Sequence, residues 1–265
     1  MLKTINESEI WKATRSEALE ASHSEPVLAE MLDEVFLSKK SIFDAVCCAV
    51  ATKVEFYAKR KLGLLRIFKE AFEKDSAIKE NVLKDIVAIR ERDPACTSYI
   101  TPILYFKGFQ AITAYRVAHY LWNCNRKHLA SLLQSLISEA FAVDIHPAAK
   151  FGGGILLDHA TSFVAGETSV VDDNVSILHE VTLGGTGNEI GDRHPKIHSG
   201  VLIGAGAKLI GNITIGKCAK IGAGSVVLND VEAHTTVAGI PARKVSTAFE
   251  DDPASCMDQN FKKHK

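Results

Sequence analysis

The stretch Ile197-His-Ser-Gly-Val-Leu-Ile203-Gly-Ala-Gly-Ala-Lys-Leu209-Ile-Gly-Asn-Ile-Thr-Ile215-Gly-Lys-Cys-Ala-Lys-Ile221 carries an aliphatic residue at every sixth position, and Val227 continues the series. Upstream, a matching run reads Ile145, Phe151, Leu157, Phe163, Ser169, Val175 and Val181, with Ser169 its polar member. A period of six belongs to neither a helix nor a simple strand. It fits three short strands per turn of a solenoid, about eighteen residues in all, and hexapeptide periodicity marks a parallel β-helix. Ile145, Phe163 and Val181 are therefore expected to stack, as are Ile203 and Ile221. Gly204, Gly216 and Gly222 follow the aliphatic position, where a tight corner needs backbone freedom. Ala207, Ala219 and Ser225 stand four positions after it, where a narrow prism has little room. An ordinary sandwich of strands would show alternation and longer spacings.

Between Val181 and Ile197 the phase slips by four residues. The intervening Leu183-Gly-Gly-Thr-Gly-Asn-Glu-Ile-Gly-Asp-Arg-His-Pro195 is polar and glycine-rich, so an extruded loop is expected there.

Composition sets outer limits. The chain has 265 residues, 46% of them hydrophobic, enough to build a sizeable core. A net charge of −1 offers no basic field for nucleic acid and no polybasic patch for a membrane. No apolar run approaches the ~20 residues of a spanning helix. The opening Met1-Leu-Lys-Thr-Ile-Asn-Glu7 lacks the apolar stretch of a secretion signal. Cys47, Cys48, Cys96, Cys124, Cys218 and Cys256 form no Cys-x-x-Cys pair, so a reduced, cytoplasmic protein is expected.

The chain before the repeat reads as helical. Leu28, Met31, Leu32 and Val35 follow helical spacing, as do Phe43, Val46, Cys47 and Val50, and Leu129, Leu132, Leu133 and Leu136. Ile78, Val82, Ile86 and Ile89 follow it more loosely. Ser24-Glu-Pro26 reads as a helix start. Arg92-Asp-Pro94 reads as a break, because the residue before proline avoids the helical region. A helix is expected from Thr101-Pro102 to Trp122, with Gly108 tolerated inside it at some cost. The resulting division is a helical domain over 1–142, a coil domain over 143–245, and a mobile polar tail over 246–265. The helical block is expected to cap the open end of the solenoid.

Several residues could carry chemistry. His159 stands two positions after the inward Leu157, and on an eighteen-residue coil Asp144 falls one layer away and about half a face along. A carboxylate near an imidazole fixes its tautomer and stabilises its protonated form, the base–orienter part of a triad. With no serine or cysteine nucleophile beside them, such a base would act on a substrate hydroxyl. His159 could equally be a polar corner residue. In the loop, Arg193 suits a carboxylate through its planar fork, and a long loop on a stiff scaffold is often functional. His159, His179, His194 and His198 could in principle assemble a zinc site. No helix underlies His194 and His198 to give them a shared face, so no metal is assigned.

Particular segments resemble the serine O-acetyltransferases of bacterial cysteine biosynthesis, within the hexapeptide-repeat acyltransferases. They are Asp144-Ile-His-Pro-Ala-Ala149, Asp158-His-Ala-Thr161, Gly166-Glu-Thr168, Val181-Thr-Leu-Gly-Gly-Thr-Gly187, Gly191-Asp-Arg-His-Pro-Lys196 and Ile203-Gly-Ala-Gly-Ala-Lys208. The helical half matches in Arg92-Asp-Pro-Ala95 and in Thr101-Pro-Ile-Leu-Tyr-Phe-Lys-Gly-Phe109 with Tyr115-Arg116. The resemblance implies an α+β fold, an all-helical N-terminal domain followed by a left-handed parallel β-helix. It implies acetyl transfer from acetyl-CoA, a co-substrate, to the L-serine hydroxyl, with no permanently bound cofactor. His159 would be the general base and Asp144 its partner. His194 and Arg193 would hold the serine, and Asp93 and Asp158 its ammonium group. Glu167 matches a position near the site. CoA would run past Gly185, Ala205 and Ala223, with Lys220 near its phosphates. The resemblance further implies trimers paired into hexamers, active sites between neighbouring β-helices, and inhibition by L-cysteine. Many relatives end in an isoleucine that docks into O-acetylserine sulfhydrylase. This chain carries Met257-Asp-Gln-Asn-Phe261 but ends in Lys265, a poor fit for an apolar pocket. The alternative within the repeat class is an acetyltransferase for a sugar or antibiotic hydroxyl, which leaves Arg193 and Asp93 unexplained. A zinc hydratase or a pure scaffold is the reading outside it.

Overall fold

The structure, a computed structural model, describes residues 6–188, 190–247 and 251–260. Eight helices come first: α1 Glu7–Ser24, α2 Ala29–Leu32, α3 Ile42–Tyr57, α4 Leu64–Lys74, α5 Ser76–Arg92, α6 Ile100–Leu104, α7 Lys107–Asn123 and α8 Lys127–Phe141. Asn6, Ser41 and Asp75 cap α1, α3 and α5 with side-chain oxygens on first-turn N–H groups. The spacing around Leu28 to Val35 resolves into the short α2 and a π-helical turn at Asp33–Leu37.

The helix expected from Thr101 to Trp122 is two helices. Its apolar pattern continues, but α6 ends at Leu104 and Phe106 is extended. The Gln110 amide explains the break. It donates to the carbonyls of Ile103 (2.8 Å) and Leu104 (2.9 Å), replacing bonds a continuous helix would make.

Short parallel strands then wind into a prism with three walls. The first wall holds β1 (Val143–Ile145), β4 (Phe163–Ala165), β7 (Thr182–Gly184), β10 (Lys208–Ile210) and β13 (Val226–Val227). The second holds β2 (Lys150–Phe151), β5 (Val170–Val171), β8 (Lys196–Ile197) and β11 (Thr214–Ile215). The third holds β3 (Leu156–Leu157), β6 (Ser176–Ile177), β9 (Leu202–Ile203) and β12 (Lys220–Ile221). It is extended by β14 (Thr235–Gly239), parallel to β12, and by β15 (Ala242–Thr247), antiparallel to β14.

Register corrects the upstream half of the repeat. Ile145 pairs with Ala165, twenty residues on, not with Phe163. Ala165 pairs with Leu183, eighteen on, and Val171 with Ile197, twenty-six on. From β8 to β13 each coil is eighteen residues, as expected, and the last shortens to sixteen, with Ile215 beside Val231 and Ile221 beside Val237. The strand residues facing inward are therefore Ile145, Phe151, Leu157, Ala165, Val171, Ile177 and Leu183. Ser169, Val175 and Val181 occupy the second inward position, four after a strand residue, which Ala207, Ala219 and Ser225 fill downstream; Phe163 occupies it six after Leu157, across the enlarged corner. Phe163, Ser169, Val175 and Val181 are all fully buried. Ser169 is thus no exception in the strand ladder but a small residue at a small-residue position. The slip of four has two sources: two residues added at the corner 158–162, and eight at the loop 185–195.

The helical block closes over the first coil. Asp85 and Arg116, both buried, pair at 2.7 Å. Arg116 also donates to the carbonyls of Phe151 and Gly152, and Asp85 accepts from Ile155 N–H. Truncating one partner of such a pair typically costs about 3–5 kcal/mol, because the other charge is stranded. Gly108 serves close approach: a Cβ there would lie 1.9 Å from the Leu157 carbonyl oxygen.

The expectation of a mobile tail from residue 246 meets a different picture at 251–260. β15 runs through Thr247, and α9 (Pro253–Cys256) packs with Ala254 fully buried. Ala254 N–H donates to Gly200, and its carbonyl accepts from Ser176 Oγ at 2.8 Å. Phe261 to Lys265 lie outside the described residues. Among the described residues no helix is long and apolar enough to cross a membrane.

Candidate active site

The residues singled out from sequence gather at two edges of the first wall. At the edge where β7 leaves for β8, the loop returns over Gly166-Glu-Thr168. Thr168 Oγ1 accepts from the backbone N–H of Arg193 (3.0 Å) and of His194 (3.1 Å). It also lies 2.9 Å from His194 Nδ1, which accepts from Thr168 N–H at 3.2 Å. An Nδ1 that accepts leaves the neutral ring's proton on Nε2. Nε2 faces Gly166, where a Cβ would fall 1.9 Å from it, so the missing side chain is the space the imidazole occupies. Burial, with Arg193 and Lys196 nearby, holds the His194 pKa below its ordinary value, which favours that neutral form.

Arg193 reaches Glu167 at 2.7 Å and the Gly191 carbonyl at 2.9 Å. This gives Glu167 a partner that spacing could not: its carboxylate holds the Arg193 guanidinium in place. The hydrogen bond from Arg193 holds the Glu167 carboxyl below the usual range. Lys196 Nζ ties the loop further, to Asp192 and to the carbonyls of Thr168 and His194. His146 borders this edge, its pKa lowered by burial against the opposing pull of Glu167 and Asp144.

At the opposite edge, where β3 turns into β4, the enlarged corner carries Asp158 and His159. His159, Ala160 and Ser162 all have positive φ, a conformation that costs non-glycine residues. The corner is held by Ser162 N–H on the Ala142 carbonyl, Glu180 N–H on the Thr161 carbonyl, and a Lys107–Thr161 side-chain hydrogen bond. The His159 side chain is 74% exposed, its Nε2 3.9 Å from Asp158 Oδ2. Asp158 is half-buried and its pKa is raised. Desolvation is the first cause, and the like charge of Asp93 adds while His159 opposes. Asp93 arrives from the end of α5, where buried Arg92 donates to Gly154 and to Ser176 Oγ. Asp93 thus brings a second carboxylate near Asp158.

Asp144 lies between the edges on β1 and accepts from Gln134 Nε2 at 2.7 Å. Among the described residues its hydrogen bond is with Gln134, not with His159. The residues expected along CoA divide in the same way. Gly185 belongs to the loop edge, beside Arg193 and His194. Ala205 and Ala223 lie on the His159 edge, where a cleft is lined by Gly204, Lys220, Gly222, Ala223 and Gln259. Lys220 Nζ donates to the Asn260 carbonyl at 2.6 Å. Among the described residues no group of three or more His, Cys, Asp or Glu side chains is arranged to hold a metal ion.

The family profile "Serine acetyltransferase, N-terminal" matches residues 10–114, and "Bacterial transferase hexapeptide (six repeats)" matches 194–229. The serine acetyltransferase of Haemophilus influenzae is 51% identical over 253 residues, covering 96% of this chain and 95% of its own. The chain belongs to the serine acetyltransferase family. It is an acetyl-CoA-dependent acyltransferase. A solved serine acetyltransferase in complex with cysteine matches with a TM-score of 0.93 at 50% identity, covering 97% of this chain and all of that one. The Brucella abortus enzyme in complex with coenzyme A matches with a TM-score of 0.87 at 48% identity, covering 90% and 96%.

Sequence reasoning missed Thr168, Gly166 and Gln134 as supports. Gly166-Glu-Thr168 stood in the motif, but a hydroxyl that clamps two loop N–H groups leaves no spacing signal.

Proposed function

We propose that this serine acetyltransferase moves acetyl from acetyl-CoA to the hydroxyl of L-serine, in sites that neighbouring copies complete. One observation carries the reading: Asp158 and His159 lie at one edge of the first wall, and Arg193 and His194 lie at the other. Serine needs both. Packing the loop edge of one β-helix against the His159 edge of the next supplies them, in trimers that pair into hexamers.

In this reading Asp93 and Asp158 take the serine ammonium. Arg193 exchanges Glu167 for the serine carboxylate, and His194 Nε2 donates to it. His159 removes the hydroxyl proton as the oxygen attacks the thioester carbonyl; within one chain Asp144 bonds Gln134, so the carboxylate beside the imidazolium is Asp158. The tetrahedral intermediate collapses, the carbon–sulfur bond breaks, and the imidazolium returns its proton to the departing thiolate. CoA and O-acetyl-L-serine leave. L-cysteine shares the ammonium and carboxylate of serine, so it competes for the same seat, as the cysteine-bound relative supports. The folded segment 251–260, with Asn260 on Lys220, lies along the cleft proposed for CoA.

Thiol release from acetyl-CoA, with and without L-serine, tests the substrate. Release that ignores serine and follows a sugar overturns the assignment. Mixing His159→Ala with Arg193→Ala subunits tests the shared site. Hybrid trimers should regain activity that neither parent shows, because some interfaces pair two intact edges. No regain would place the whole site in one chain.

A further inference from the structure

His159, His179, Ala205 and Ala223 hold equivalent places on four successive coils, each two residues after a paired strand position: Leu157, Ile177, Ile203 and Ile221. The column along this edge therefore changes character halfway, with two imidazoles above two methyl groups. Small residues suit a track where a ligand approaches the backbone. A second histidine directly beneath the base needs its own explanation.

The contacts of the base supply it. Among the described residues, the hydrogen bonds, ion pairs and ring contacts of the His159 imidazole are with Asp158 and His179. The two rings meet edge to face, centroids 5.8 Å apart and planes at 78°. Asp158 stands 3.9 Å from Nε2, beyond hydrogen-bond reach. His159 itself sits at positive φ on an enlarged corner and is largely exposed, so its own backbone does little to confine the ring. His179 differs in each respect. Its corner has the regular three residues, 178–180, its carbonyl accepts from Gly206 N–H, and its ring is half-buried with Nδ1 out of reach of solvent. Edge-to-face packing of this kind is favourable beyond area burial, enough to bias one rotamer.

We infer that His179 is a positioning residue for the general base, its ring acting as the wall that fixes the His159 imidazole over the cleft. This rests on His159 being the base. The charged groups around the pair are Asp158, Asp93 from the end of α5, Lys107 from α7 and Glu180. None of them supplies a flat surface; the His179 ring does.

Three variants of the full chain test it in steady-state kinetics, with acetyl-CoA varied up to saturation at saturating serine: His159→Ala, His179→Ala and His179→Phe. The expected pattern is a kcat about ten- to a hundredfold lower for His179→Ala, the scale of a misplaced catalytic group, with KM for acetyl-CoA unchanged. His179→Phe keeps the wall without nitrogens and should return kcat to within about threefold. The His159 ring protons give a readout independent of activity. Their ring-current shifts in NMR spectra should vanish in His179→Ala and persist in His179→Phe. Wild-type kcat in His179→Ala overturns the inference. So does a His179→Phe variant as impaired as His179→Ala, since a nitrogen would then be the working part. Full activity in His159→Ala would instead bring down the assignment of the base.

Discussion

Two insertions interrupt the same repeat, and they behave differently. The corner 158–162 gains two residues and keeps a compact turn, with its histidine held in a strained, exposed conformation. The loop 185–195 gains eight, yet its working end is tied by Thr168, Glu167 and Lys196, with Ile190 fully exposed beyond it. The short insertion presents the proposed base and leaves it unsupported on most sides. The long one presents the proposed carboxylate clamp and fastens it down. In the proposed reading, carboxylate recognition demands a guanidinium fixed from several sides, whereas the base is steadied on one face, by His179.

The largest effect expected from that contrast is in His159→Ala. CoA release should fall about 10²–10⁴-fold while the thermal midpoint stays put; an active variant would show that the corner does no chemistry. At the loop edge, Gly166→Ala forces a methyl carbon onto the His194 ring. KM for serine should rise more than about tenfold, the scale of one good charge-assisted contact, with kcat less affected. A kcat loss equal to that of His159→Ala would erase the division of labour. Thr168→Ala unfastens the loop without filling space. Losing its hydroxyl should raise KM for serine about three- to tenfold, from roughly 1 kcal/mol per hydrogen bond, and increase proteolysis of the loop.

The smallest effect concerns acid. His194 and His146 are both held below their ordinary 6.5 by burial, so the unfolded chain takes up protons first. Their contribution to stability is complete above about pH 6.5 and is lost as pH falls from there through the lowered folded values. Melting temperature against pH should decline over that range, and His194→Asn should flatten it. A profile that does not respond to the substitution would exclude His194 from the linkage.

Sequence and structure part company at instructive places. The hexad is legible from Ile197 to Val227 because nothing is inserted between its strand positions, and Ala207, Ala219 and Ser225 mark the second position as small. Upstream, Phe163, Val175 and Val181 are as apolar as strand residues while filling the second position, so they concealed the two-residue enlargement beside His159. The break between α6 and α7 was hidden because Gln110, a side chain, ends the helix within an unbroken apolar pattern. Gly108 reads as a flaw in a helix until the coil it touches is known. At the site, Arg193, His194, Asp158 and His159 were legible as motif residues. Their separation across one wall was not, since spacing along a chain says little about which edge of a prism a corner occupies.

The enlarged corner also bears on how such a protein can vary. The strands before and after it resume their pairing, and Ala165 stacks beneath Ile145 as though nothing had been added. A scaffold of this kind can acquire or discard a reactive group at any vertex without renegotiating its interior. New chemistry then arrives as a local edit, and inheritance of the frame puts few limits on what the vertices come to do.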